Sequence, residues 1–269
     1  MENLKDKIVM ISGASSGIGL ASARLFAEQG CRLILFARRY DRLEKIKRDL
    51  KRNYSADVHI FQADVREKSA LERGFATIPD NFYPIDILIN NAGLARGTEK
   101  FHEINEQYFD EVLDTNVKGV ISVTRKILPQ MLERNVGHII NIGSIAGQQA
   151  YQGGHIYNAS KFALKGLMDA IRIDIVDTDI RVSTIDPGMV NTEFSTVRFY
   201  GDKKSADKLY IGIEPLLAVD IAESILFMAT RPLHVNINDM TIMPNHQATA
   251  TIKHFDIPEE ETTEEKIED

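Results

Sequence analysis

Short apolar runs alternate with longer amphipathic ones along this chain. The short runs are Ile8-Val-Met-Ile11, Arg32-Leu-Ile-Leu-Phe-Ala37, Val58-His-Ile-Phe-Gln-Ala-Asp64, Ile85-Asp-Ile-Leu-Ile-Asn90, His138-Ile-Ile-Asn-Ile-Gly143, Arg181-Val-Ser-Thr-Ile185 and Met240-Thr-Ile-Met243. Such runs read as strands buried on both faces of a sheet. Helical spacing fills the intervals, at about 20–28, 41–53, 68–77, 103–115, 117–134, 157–177 and 219–230. Strand–helix alternation of this kind predicts an α/β fold, a doubly wound parallel sheet with helices on both faces. No repeat or linker divides it, so residues 1–250 read as a single domain. The segment 191–215 breaks the alternation and reads as an insertion at the carboxyl edge of the sheet, a lid over the place where such folds bind ligands.

The first strand runs into Ser12-Gly-Ala-Ser-Ser-Gly-Ile-Gly19 and then a helix. A glycine turn between strand and helix aims the unpaired N–H groups of the first helical turn, and the positive end of the helix dipole, at whatever lies above. A pyrophosphate fits there. The spacing is G-x-x-x-G-x-G at 13, 17 and 19, and a side chain at any of the three would crowd the turn, the ligand or the helix packing. An ordinary glycine-rich turn without a ligand is the competing account. The second strand ends in Ala37-Arg38-Arg39, where an NAD-binding protein usually carries an acid for the ribose. Two guanidinium groups suit a 2′-phosphate, so NADP is favoured over NAD. The alternative is a solvated basic helix start formed by Arg38, Arg39 and Arg42.

Tyr157 and Lys161 lie four apart on one helical face. A close ammonium favours the phenolate and lowers the tyrosine pKa from about 10. A tyrosine tuned in this way exchanges a proton with a carbonyl or alcohol near neutral pH. Ser144, at the end of the fifth strand, would hydrogen-bond the reacting oxygen. A pair of this spacing also arises by chance.

Composition narrows the picture. The 269 residues are 43% hydrophobic and 26% charged, as in an ordinary globular protein. No apolar run approaches a membrane span. The polar start, Met1 to Lys7, reads as free of a secretory signal. Cys31 is the single cysteine, which excludes an internal disulfide framework and fits a reducing cytoplasm. The net charge of −7 is largely a tail effect, because residues 258–269 hold seven acids against Lys266. The body is therefore nearly neutral, which gives no sign of nucleic-acid binding. Residues 251–269 are expected to form an acidic, disordered tail. The seven histidines show no paired metal spacing, and no metal is expected.

Ser12-Gly-x-x-x-Gly-Ile-Gly19, Asn90-Asn-Ala-Gly93, Asn116, Ser144, Tyr157-x-x-x-Lys161 and Pro187-Gly188 occur in this order and spacing. Together they resemble the short-chain dehydrogenase/reductase family over residues 6 to about 250. The resemblance implies a Rossmann sheet of about seven strands, hydride transfer with a nicotinamide cofactor, and a tetrad of Asn116, Ser144, Tyr157 and Lys161. In it Tyr157 is the acid/base and Ser144 orients the substrate. Lys161 binds ribose and tunes the tyrosine, and Asn116 supports a water in the proton relay. It also implies cofactor contacts: Gly13, Ser15, Ser16, Gly17, Ile18 and Gly19 for the phosphates, and Arg38 and Arg39 for the 2′-phosphate. Asp64 and Val65 would meet the adenine, Asn90, Ala92 and Gly93 the ribose side, and Pro187, Gly188, Val190 and Thr192 the carboxamide. Ser12 replaces the usual threonine and keeps its hydroxyl. Each residue taken singly has a plainer account: Asn90 in a strand-ending turn, Asp64 as a helix cap, Asn116 on a kinked backbone, Ser144 as a loop hydroxyl.

Longer strings are similar to the NADP-dependent 3-hydroxy acid dehydrogenases, among them Asp86 to Ala95, Gly137 to Ser144, Thr192 to Phe199 and His234 to Asn238. That group, which includes the serine and L-allo-threonine dehydrogenases, oxidises the 3-hydroxyl of small hydroxy or amino acids. It is cytosolic and tetrameric. A small hydroxy or oxo acid needs a cation or donors for its carboxylate, and Arg198 in the lid is the candidate clamp, with Gln148 and His155 as pocket residues. A lid salt bridge is the other role open to Arg198. The surplus of apolar positions on 117–134 and 157–177 fits either burial within the subunit or a helix face shared between subunits of a homotetramer. A reductase for other small ketones or aldehydes is the runner-up, and a non-catalytic NADPH sensor the third alternative.

Overall fold

The structure, a computed structural model, describes residues 2–255. The elements run β1 (Ile8–Ser12), α1 (Gly17–Glu28), β2 (Arg32–Ala37), α2 (Tyr40–Tyr54), β3 (Val58–Gln62), α3 (Lys68–Phe75), β4 (Ile87–Asn90), α4 (Gln107–Leu113), α5 (Gly119–Arg134), β5 (Gly137–Ile142), α6 (His155–Asp174) and β6 (Ile180–Pro187). They continue with β7 (Val190–Asn191), α7 (Glu193–Arg198), α8 (Lys203–Lys208), β8 (Leu216–Leu217), α9 (Ala218–Ala229) and β9 (Asp239–Ile242). The main sheet has seven parallel strands in the order β3-β2-β1-β4-β5-β6-β9.

The side-chain period of two divides each strand between two cores. In β1, Val9 and Ile11 enter the cluster that contains Phe26 of α1 and Ile221 and Ile225 of α9. Ile8 and Met10 enter the opposite cluster, with Val123 and Ile127 of α5 and Leu164 and Met168 of α6. β2 repeats the pattern, with Leu33 and Leu35 on one side and Ile34 and Phe36 on the other. Neither face is left to water, which is why these strands lack polar alternation. The strand order reverses between β1 and β4, and the carboxyl ends diverge there into a crevice.

Three features differ from the sequence expectation. The helices expected on either side of residue 116 form one continuous rod, because Asp114–Lys118 adopts a π-turn between α4 and α5. Segment 191–215 is more regular than expected: it holds α7 and α8, framed by the short parallel pair β7–β8. Thr192 caps α7 by accepting from Phe194 N–H at 3.2 Å, and Asp202 caps α8 by accepting from Lys204 and Ser205 at 3.0 and 3.2 Å. The first residues of the expected tail pair with the turn before them. The N–H of Ala248 donates to Ile252 O, and Gln247 and Lys253 form an antiparallel bridge. The rest of the expected acidic tail, 256–269, lies outside the described residues.

His138 of β5 is 2% exposed, and its Nε2 lies 2.8 Å from Ser183 Oγ. Burial, helped by the charge of Arg181, holds its pKa well below the usual 6.5. The folded chain therefore keeps this ring neutral while the unfolded chain protonates it. Stability from this residue is present above pH 6.5 and drains away as pH falls below it. That loss is expected to show between pH 6.5 and 5 and to reach at most about 1.7 kcal/mol. Urea unfolding of the wild type and His138→Gln at both pH values measures it; equal pH dependence in the two proteins would contradict it.

Candidate active site

A cleft of about 290 Å³ opens at the crevice between β1 and β4. Its floor is the glycine turn, where Gly13 and Gly17 have φ of +64° and +54°, values that L side chains rarely adopt. A Cβ on Gly13 would also meet Ala92 Cα at 2.9 Å, and one on Gly19 would meet Asn91 Nδ2 at 2.5 Å. Gly19 thus serves helix–strand packing and does not line the cleft. Ser12 ties the two diverging strands together: its hydroxyl accepts the N–H of Asn91 at 2.9 Å and of Ala92 at 3.0 Å. Asn91 answers by donating Nδ2 to Ser12 O at 2.9 Å and Gly13 O at 3.1 Å. Ser15, Ser16 and Ile18 line the turn above.

At one end Arg39 spreads over the turn. It donates Nε and Nη2 to Ser15 Oγ at 3.2 and 3.0 Å, and Nη2 to Ser16 Oγ at 2.8 Å. Its Nη1 donates to Glu193 Oε2 at 2.8 Å, and Arg42 donates to the same carboxylate at 2.7 Å. A guanidinium placed beside two hydroxyls and a helix N-terminus is a donor set that fits a phosphate monoester. Arg38, Asp64 and Val65 complete this wall. Burial alone would raise the Asp64 pKa, but hydrogen bonds from Arg66 bring the carboxyl below its ordinary range.

Ala92 and Gly93 line the middle of the cleft, with Pro187, Gly188, Val190 and Thr192 opposite. Asn90 does not reach it. Strand alternation turns its side chain to the helix side, where Nδ2 donates to Thr124 Oγ1 at 2.9 Å.

Ser144, Tyr157 and Lys161 close the other end. Ser144 follows β5 by two positions, and Tyr157 and Lys161 stand in the first turns of α6. Lys161 is 6% exposed and donates Nζ to Ile142 O at 2.7 Å. Burial lowers its ammonium to about 8, and Asp186 opposes that drop. The balance at Tyr157 differs from the sequence expectation. Burial pushes the phenol above its usual 10, the nearby Tyr151 adds to the rise, and a hydrogen bond with Ser144 pulls the other way. Lys161 lies 5.8 Å from the ring centroid, with an N–H committed to Ile142, and its charge does not overcome the burial. The phenol is therefore protonated at neutral pH. Asn116 stands behind this group, 1% exposed, in the π-turn. Its Oδ1 accepts from Leu94 N–H at 2.9 Å, and its Nδ2 donates to Leu94 O at 2.8 Å and Ser160 Oγ at 3.0 Å. π-turns recur at functional sites, and this one fixes the cleft wall at Leu94.

The comparisons with known proteins agree with this geometry. A family model described as short chain dehydrogenase matches residues 7–201. The NADP-dependent 3-hydroxy acid dehydrogenase of Schizosaccharomyces pombe is 43% identical over 251 residues, 93% of this chain and 97% of that protein. This chain belongs to the short-chain dehydrogenases. A structure of serine dehydrogenase in its closed form complexed with NADP+ superposes with a TM-score of 0.87 at 42% identity, over 92% of this chain and 98% of that one. Sulfoacetaldehyde reductase 2 of Chromohalobacter salexigens is 40% identical over 90% of this chain and 95% of its own.

The three expected substrate residues of this dehydrogenase do not line the cleft. Arg198 donates Nε to Gly97 O at 3.0 Å, Nη1 to the Tyr151 hydroxyl at 2.9 Å and Nη2 to Gly153 O at 3.2 Å. Its fork is spent clasping α7 to two loops. His155 Nε2 lies 3.1 Å from Glu99 O, beside a separate groove that includes Phe101 and Phe162. Gln148 donates Nε2 to Asp186 and Thr241, each at 2.8 Å. Residues the motifs did not flag are present instead: Glu193 on Arg39, Asp186 beneath Ser144, and Phe194, whose ring centre is 5.5 Å from that of Tyr157. Glu193 and Phe194 follow the Thr192 cap directly, and a cap–acid pair starting a helix was the available signal.

Arg39→Asp is expected to weaken NADPH binding by roughly tenfold or more while changing NADH binding far less. Titration of both cofactors by fluorescence checks this, and equal losses would show that the guanidinium reads no 2′-phosphate.

Proposed function

We propose that this dehydrogenase oxidises the 3-hydroxyl of small 3-hydroxy acids or β-hydroxy amino acids, of the serine, L-allo-threonine or 3-hydroxypropanoate type, with NADP, or runs the reverse reduction. The observation that carries this is one cleft holding the Arg39 fork at one end and Ser144, Tyr157 and Lys161 at the other. The names of the similar proteins support the substrate class. The residues fit NADP: glycines give the pyrophosphate close approach, and Arg39 with Ser15 and Ser16 would hold the 2′-phosphate. When bound, the cofactor supplies or accepts the hydride.

In reduction, the protonated phenol of Tyr157 donates its proton to the substrate carbonyl oxygen. The Ser144 hydroxyl donates a hydrogen bond to the same oxygen as negative charge develops there. Lys161 holds a positive charge beside the phenolate that remains and would grip the ribose hydroxyls. In oxidation the phenolate takes the alcohol proton back. Asn116 would hold the relay water while it fixes Leu94. Asp64, Val65, Ala92, Gly93, Pro187, Gly188, Val190 and Thr192 would shape the rest of the cofactor groove.

A second activity, reduction of other small aldehydes or ketones, is favoured by one observation. The wall beside Tyr157 is apolar, made by Leu94, Phe194 and Val197, and the Arg198 fork is bonded to Gly97 O, the Tyr151 hydroxyl and Gly153 O. The chain would work in the cytoplasm as a homotetramer. Phe162 and Ile173 of α6 stay 45% and 72% exposed, and they supply an apolar face for subunit packing. Among the described residues no helix is long and apolar enough to cross a membrane.

Tyr157→Phe should keep NADPH affinity within about threefold and lose roughly a thousandfold in kcat. Absorbance of NADPH with a panel of 3-oxo acids, semialdehydes and simple ketones measures both the loss and the substrate class. Undiminished turnover in the variant would remove Tyr157 from the chemistry.

A further inference from the structure

Asp186 sits near the end of β6, directly beneath the reacting side chains, and is 4% exposed. A carboxylate so far from water is costly unless bonded and balanced. Its Oδ1 accepts the backbone N–H of Ser144 at 2.8 Å, and its Oδ2 accepts Gln148 Nε2 at 2.8 Å. Gln148 is braced in turn by Thr241 Oγ1 on β9, also at 2.8 Å. Glycine at 143 leaves the carboxylate its space, since a Cβ there would run into Asp186 Oδ1. The side chain is thus built into the turn that presents Ser144: it holds the Ser144 N–H while the buried Lys161 holds Ile142 O, two residues earlier in the same turn.

We propose that Asp186 is a positioning residue for the reaction: its carboxylate fixes the turn that aims Ser144 and supplies the counter-charge of Lys161. This rests on the roles given above to Ser144, Tyr157 and Lys161. Burial disfavours the Lys161 ammonium, and Asp186 is the charge that offsets it. The same burial raises the Asp186 carboxyl, while Gln148, the Ser144 N–H and Lys161 hold it down. The other groups facing this layer are Tyr157 on α6 and Asp239 on β9, with Tyr151 and Arg198 acting on Tyr157.

Asp186→Asn separates charge from shape. The amide keeps an acceptor for Ser144, and Gln148 satisfies the new NH2 by flipping its own amide. The experiment is kcat against pH for NADPH-dependent reduction of malonic semialdehyde, with NADPH affinity and melting midpoint measured alongside. The alkaline limb, set by loss of the Lys161 proton, is expected to move down by roughly half a pH unit or more. At pH 8 kcat should fall by about twofold or more, with NADPH affinity at pH 7 little changed. Asp186→Glu should return the limb part of the way. A folded Asn variant with an unmoved limb overturns the proposal, whatever its kcat. If the Asn variant does not fold, Gln148→Leu decides. Losing that donor should raise the acid limb, where Asp186 takes its proton, and an unmoved acid limb overturns the proposal equally. A wild type that reduces nothing in the panel sinks the proposed activity and this inference together, whereas an active wild type with unmoved variant profiles sinks Asp186 alone.

Discussion

A buried ammonium resting on a strand-end carbonyl organises the reactive end of this molecule. Lys161 donates to Ile142 O at 2.7 Å and is nearly sealed from water. That bond pins the start of α6 to the end of β5. Tyr157, one turn earlier on the helix, and Ser144, two residues beyond the carbonyl, are then brought together without a long loop to place them. Burial raises the phenol above its usual 10, and in the proposed reaction the cation would balance the phenolate once its proton leaves. Under that reading proton donation would be set by enclosure first and by charge second.

The opposite end depends on a different economy. Ser12 and Asn91 bind the diverging ends of β1 and β4 through backbone groups, which leaves the glycine turn free to face a ligand. Arg39 rests on Ser15, Ser16 and Glu193, so its fork is ordered before any phosphate arrives. Glu193 belongs to α7, and that contact joins the helix to the nucleotide end of the cleft. Arg198 holds the far end of the same helix to the loops at Gly97 and Gly153. The helix α7 is thus fastened at both ends by arginines.

Much of this was legible in the sequence. Strands buried on both faces have to be apolar throughout, and β1, β2 and β4 were readable for that reason, whereas the edge strands β3 and β9 are partly exposed and mix polar with apolar residues. Gly13, Gly17, Ser144, Tyr157 and Lys161 announced themselves because backbone conformation or chemistry restricts their replacement. The rest depends on contacts between distant segments. The destination of Arg198 depends on Tyr151 and on two carbonyls far away in the chain. Asn90 and Asn91 differ only by strand parity, and the motif could not say which one faces the cleft. The π-turn at Asn116 leaves no compositional mark. Asp186 belongs to none of the motifs, because its place depends on Ser144 and Gln148, some forty residues away in the chain.

The protonation state of the Tyr157 phenol tests the central claim most directly. Carbon-13 NMR of the chain labelled at tyrosine Cζ, with Tyr157→Phe to assign the resonance, follows that ionisation in the protein without cofactor. Enclosure predicts a phenol that keeps its proton past its ordinary value of 10. A phenol that ionises near neutral pH would show that the ammonium, and not burial, governs the site.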